Sequence, residues 1–114
     1  MEASFRDRPR VLIVDDQKNW REVLRDILDP MCEVETAASY CEAKRKLSQH
    51  AFHVLVVDQR LVDNEVTNIQ GILLLNEVRE VQDGTQAIIV TGYPSIEAAK
   101  KALREYDAYD YILK

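Results

Sequence analysis

The chain has 114 residues, a formal net charge of −5, and hydrophobic and charged fractions of 46% and 31%. That length suits one small domain with one core, and the acidic balance argues against direct nucleic-acid binding. Residues 1–9 read as a flexible N-terminal segment ahead of one domain over 10–114, and they lack the apolar stretch of a secretory signal. No apolar run approaches the ~20 residues of a membrane span. Cys32 and Cys41 lack metal-ligand spacing and read as buried thiols of a cytoplasmic protein.

In chain order, Val11-Leu12-Ile13-Val14 is a continuous apolar run ending in Asp15-Asp16, the pattern of a strand buried on both faces of a parallel sheet. Trp20, Val23, Leu24, Ile27 and Leu28 follow the spacing of an amphipathic helix, and Pro30 stops it. Residues 32–37 form a weaker strand anchored by Val34. Ser39 is placed to cap a helix with Tyr40, Ala43 and Leu47 on its inner stripe. The run 53–57 repeats the buried-strand pattern and ends in Asp58. Residues 68–82 carry Ile72, Leu75, Val78 and Val81 on one helical face, and Asp83-Gly84 ends it. Ala87-Ile88-Ile89-Val90 is a further buried run, ending in Thr91-Gly92. Ser95 opens a fourth helix, with Ile96, Ala99, Leu103 and Tyr106 expected to face inward. Residues 109–113 are a fifth strand, ending in Lys114.

Strands alternating with helices imply a parallel sheet covered on both faces with right-handed crossovers. The expected fold is a doubly wound α/β sheet of five strands. Such sheets place their sites at the carboxyl ends of the strands, near a topological switch point. The residues waiting there are Asp15, Asp16, Asp58, Thr91 and Lys114. Carboxylates ~4 Å apart repel by about 4 kcal/mol per pair at an effective dielectric of ~20. A hard divalent cation relieves this, and magnesium favours one or two carboxylates together with phosphate oxygens. A metal, an amine, a hydroxyl and an attacking carboxylate together suit phosphoryl transfer. Trp20, a few residues past Asp16, is placed to report metal binding by its fluorescence. Separately, Asp16 could be a helix cap, Asp58 a loop residue, Thr91 part of a turn and Lys114 a solvated charge. Their joint occurrence, each after the appropriate strand, favours the site.

These motifs resemble the receiver domain of bacterial two-component response regulators. V-L-I-V-D-D at 11–16, V-L-V-V-D at 54–58 and I-I-V-T-G at 88–92 are similar to the family's acidic and hydroxyl signatures. The stretches 91–103 and 108–114 resemble receivers of the nitrogen-regulation activator type. The resemblance implies the flavodoxin-like (βα)5 topology and a phosphorylation switch. It makes Asp58 the phosphoacceptor, Asp16 a direct Mg2+ ligand, Asp15 the holder of a metal-bound water and the backbone carbonyl of Arg60 a further ligand. Lys114 would pair with the acyl phosphate, while Thr91 and Tyr111 would be the switch pair. The implied partners are a histidine kinase or phosphotransfer protein and an output module. No enzymatic activity is implied beyond self-catalysed phosphorylation and dephosphorylation of the aspartate. The alternative is a receiver-like interaction module that works without phosphorylation.

Three departures from the family pattern stand out. Val62 replaces the usual proline, and Gly71 comes late, which leaves residues 62–70 as an expanded polar loop. The connection 104–108 is one residue longer and lacks the usual glycine. Receivers normally continue past the position of Lys114 into a proline and a fifth helix, so a C-terminally truncated receiver is expected, with an uncovered sheet face favouring self-association. Arg60 and Tyr93, two positions beyond Asp58 and Thr91, are bulky and are expected to shield the phosphoryl group from water.

Overall fold

A computed structural model of the chain describes residues 8–58, 74–78, 84–92 and 94–114. Five strands form one sheet: β1 (Arg10–Val14), β2 (Glu33–Ala37), β3 (Val54–Asp58), β4 (Gln86–Thr91) and β5 (Asp110–Leu113). The order is β2-β1-β3-β4-β5, and each neighbouring pair is parallel. Between them run α1 (Lys18–Leu28), α2 (Tyr40–Gln49), α3 (74–78) and α4 (Ile96–Lys100), the last continuing as a π-helical turn over Lys101–Glu105. The expected five-stranded doubly wound sheet is borne out, and no fifth helix is among the described elements.

Alternation along each strand sends neighbouring side chains to opposite faces, and the core divides accordingly. Leu12, Val14, Leu55, Val57, Ala87 and Ile89 meet α2, α3 and α4 through Ala43, Leu47, Leu74, Leu75, Val78, Ala98 and Ala102. Val11 and Ile13 lie on the other face with Cys32 and Val34, and Leu24 and Leu28 of α1 pack there. This two-sided burial is why β1 reads as an unbroken apolar run.

The caps follow from local chemistry. Ser39 Oγ accepts from the Glu42 amide at 3.1 Å and Ser95 Oγ from the Ala98 amide at 3.1 Å, so both expected N-caps form. Each satisfies one of the orphan N–H groups of a helix start. Before α1 the cap position belongs to Gln17, which makes no side-chain cap bond.

Three expectations about facing need correction. On α1 the apolar stripe is narrower than expected: Leu24 and Leu28 pack inward, while Val23 and Ile27 are exposed. A helix laid on a sheet hides the stripe that faces it, and no described element stands against the next stripe. On α4, Ala98 and Ala102 are buried, whereas Ile96 is 76% and Leu103 42% exposed. Small side chains let the helix approach the sheet closely. The π-turn then shifts the helical phase, as the Tyr106 amide donates to the Lys101 carbonyl five residues back at 3.2 Å. Cys41 is exposed, while Cys32 is buried as expected, because Cys41 lies off the Ala43–Leu47 stripe of α2.

The longer connection after α4 is accommodated locally. A π-turn holds more residues per turn than an α-turn, and Asp107 takes the left-handed backbone conformation, with φ of 54°. Asp and Asn tolerate that region better than most residues, which accounts for a turn made without glycine. Of the expected third-helix stripe, Leu75 and Val78 are buried. Ile72, Val81, Gly71 and the 62–70 loop lie outside the described residues.

Candidate functional site at the carboxyl edge of the sheet

The strand registers bring the chemistry to one edge. Val14 pairs with Ala37 on one side and with Val57 on the other. Asp58 pairs with Val90, and Thr91 with Leu113. Residues directly after β1 and β5 therefore lie level with the ends of β3 and β4. The backbone extends the ladder one step further, as the Asp15 amide donates to the Ala37 carbonyl at 3.0 Å and the Lys114 amide to the Thr91 carbonyl at 2.8 Å. The backbones from which both side chains project are thus fixed to the ladder. The sheet order reverses between β1 and β3, so Asp15, Asp16 and Asp58 stand at the switch point.

Oxygens of Asp15, Asp16 and Asp58 lie within 4.8 Å of one another. Asp15 and Asp58 are buried, and so is Thr91 at the end of β4. The Lys114 ammonium enters this group, 2.9 Å from Asp15 Oδ2 and 3.5 Å from Asp58 Oδ2. Among the described residues, three carboxylates share the Lys114 ammonium, an arrangement in which charge is expensive to bury. Oxygen donors alone at this spacing match the demands of a hard divalent cation, so the donor set fits divalent metal binding.

The β1–α1 turn holds the group in place. Asp15 Oδ1 accepts from the Gln17 amide at 2.9 Å, and Arg21 Nη1 donates to the Asp15 carbonyl at 2.8 Å. Lys114 Nζ also donates to Gln17 Oε1 at 3.1 Å and lies 5.3 Å from the centre of the Trp20 ring. Gln17 and Arg21 were not singled out by sequence reasoning. Their only signal was proximity to Asp15-Asp16, which does not say that one of them reaches the C-terminal strand.

Tyr111 is half-buried, packed against the core on the α4 side, and its hydroxyl accepts from the Ser95 amide at 3.3 Å. Burial raises its pKa, and the Ser95 bond opposes that rise. Tyr111 therefore ties β5 to the N-terminus of α4, beside the strand that carries Thr91. Arg60 and Tyr93 lie outside the described residues. Among the described residues, no helix is long and apolar enough to cross a membrane.

An open parallel sheet with an acidic cluster, a lysine and a threonine at its switch point is the architecture of a phosphoacceptor signalling domain. Residues 11–114 match the response regulator receiver domain family, and the chain belongs to it. It is 31% identical over 105 residues to the regulatory protein AtoC of Escherichia coli K12, covering 92% of this chain and 22% of that protein. A receiver domain protein from Methanospirillum hungatei JF-1 shares the fold with a TM-score of 0.82 and 32% identity, covering 94% of this chain and 82% of the other. The beryllofluoride-activated NtrC4 receiver domain dimer follows at a TM-score of 0.79 and 29% identity, with 92% and 83% covered. These likenesses bear out the resemblance to nitrogen-regulation activators. The chain spans about a fifth of the length of the curated relatives it matches.

Proposed function

We propose that Asp58 is the phosphoacceptor of this receiver and that the surrounding residues serve its phosphorylation. The observation that carries the proposal is the Lys114 ammonium lying between Asp15 and Asp58 inside a cluster of three carboxylates. A carboxylate oxygen of Asp58 attacks phosphorus in line as the phosphorus–nitrogen bond to a phosphohistidine breaks, and the leaving imidazole takes up a proton. Lys114 then balances charge on the phosphoryl oxygens, and the Thr91 hydroxyl donates to one of them. Asp15, Asp16 and Asp58, with the carbonyl of Arg60, would hold Mg2+. When bound, the ion supplies neutralisation of the carboxylates and of the phosphoryl charge.

The donor is a histidine kinase or phosphotransfer protein in the cytoplasm, and the unit that receives the phosphoryl group spans 10–114. Thr91 and Tyr111 pass its state towards α4 and β5, where an output module or a second receiver reads it. Nothing observed favours the alternative of an interaction module independent of phosphorylation. Incubation with a small acyl-phosphate donor and Mg2+ tests the assignment. Wild-type protein should take up acid-labile phosphate, and Asp58→Asn should reduce this to background. Uptake by the variant at the wild-type rate would remove Asp58 from the role.

A further inference from the structure

The Lys114 ammonium is held from two chemically different sides. One side is anionic: Asp15 Oδ2 at 2.9 Å and Asp58 Oδ2 at 3.5 Å. The other is uncharged: Gln17 Oε1 at 3.1 Å and the face of Trp20, 5.3 Å to the ring centre. An ammonium has three N–H donors and no acceptor, so it can keep one set of partners while releasing another. The neutral partners come from one short stretch of chain. The Gln17 backbone is tied to Asp15 Oδ1 at 2.9 Å, and Trp20 stands one helical turn further along α1.

The two sides differ in what competes for them. A divalent cation attracted by Asp15, Asp16 and Asp58 competes for two of the carboxylates that hold the ammonium, and it repels the ammonium at close range. A lysine held only by carboxylates would be driven out of the site when the cation enters. An aromatic face attracts the ammonium through its quadrupole, most strongly where water is excluded. The Lys114 side chain is only 10% exposed.

We propose that Gln17 and Trp20 form a neutral cradle that keeps Lys114 within the site when a divalent cation occupies the carboxylates. Both are positioning residues that act through Lys114. The proposal rests on the role given above to Lys114 as the partner of the phosphoryl group.

The test uses the whole chain in saturating Mg2+, with beryllofluoride as the phosphoryl mimic and calorimetry as the readout. Trp20→Leu should weaken beryllofluoride binding about tenfold, the scale of a partly desolvated cation–π contact. Trp20→Phe, which restores an aromatic face, should recover most of that loss. Gln17→Ala should weaken binding in the same direction. In a Lys114→Met background, Trp20→Leu should have no further effect. Trp20 is the chain's single tryptophan, so its emission should change on Mg2+ addition in wild type and stay constant in Lys114→Met. Wild-type affinity in Trp20→Leu, failure of Trp20→Phe to rescue, or an undiminished Trp20→Leu effect without Lys114 would each overturn the cradle. If Lys114→Met itself binds beryllofluoride as wild type does, the role assigned to Lys114 fails first, and the cradle falls with it.

Discussion

Replacing Asp58 by Asn should stabilise the metal-free protein. Asp58 lies within 4.8 Å of both Asp15 and Asp16, and at an effective dielectric of ~20 each repulsion at that distance is about 3.5 kcal/mol. Its attraction to Lys114 Nζ at 3.5 Å is about 4.7 kcal/mol on the same basis. Two repulsions outweigh one attraction by about 2 kcal/mol. Removing a buried charge also ends its desolvation penalty, whereas the Asn side chain gives up part of the hydrogen bonding. The net expectation is a gain of about 1–2 kcal/mol, which is large against a typical domain stability of roughly 5–15 kcal/mol. Urea unfolding in chelator measures it; at a slope of about 1–3 kcal/mol per molar, the midpoint should rise by several tenths of a molar or more. Millimolar Mg2+ should stabilise wild type through binding to the folded state alone and narrow or reverse the gap. If Asp58→Asn is equal to or less stable than wild type without metal, the three carboxylates are not in electrostatic conflict, and the argument for a cation there loses its physical basis.

The facing of α4 gives a second test: Ala102→Leu should cost about 1–3 kcal/mol by overpacking, while Leu103→Ala, at a half-exposed position, should cost less than about 1 kcal/mol. Denaturant midpoints showing the reverse order would refute the inward placement of Ala98 and Ala102. The Tyr40 hydroxyl donates to Glu77 Oε1 at 2.6 Å, and burial first, then that bond and the Glu77 charge, push its pKa from 10.0 to about 12. The folded state thus holds the proton more tightly, so this stabilisation is full below pH 10 and lost as pH rises towards 12. The stability difference between wild type and Tyr40→Phe should shrink over that window, and a pH-independent difference would contradict it. Thr91→Ala should still take up phosphate but should lose the amide shifts in α4 and β5 that phosphorylation produces in wild type, since a population shift needs a contact that differs between states. Shifts that persist in the variant would separate Thr91 from the switch.

The fold was legible where burial leaves no choice. Val11–Val14, Val54–Val57 and Ala87–Val90 lie in inner strands of the sheet, fully buried on both faces in β1 and buried on one face and partly covered on the other in β3 and β4, so unbroken apolar runs mark both the strands and the points where polarity returns. Those points are Asp15, Asp58 and Thr91, and parallel pairing converts their positions along the chain into a shared position in space. The convergence of these residues at one edge was readable for the same reason as the fold. The errors arise where one-sided packing rewards small side chains. On α4 any apolar pattern weights Ile96 and Leu103 above Ala98 and Ala102, yet closeness to the sheet selects the alanines, and the π-turn breaks the 3.6-residue period on which the pattern depends. Gln17 and Trp20 were hidden differently. Nothing in their spacing predicts contact with Lys114, which lies 97 positions from Gln17; that meeting exists only once β5 has paired with β4 at the far side of β3. The long-range polar contacts around Lys114 therefore follow from the strand ladder that sets the position of this lysine. Differences in phosphorylation behaviour among receivers with the same acidic residues should be sought there, in the neutral side chains that share its ammonium.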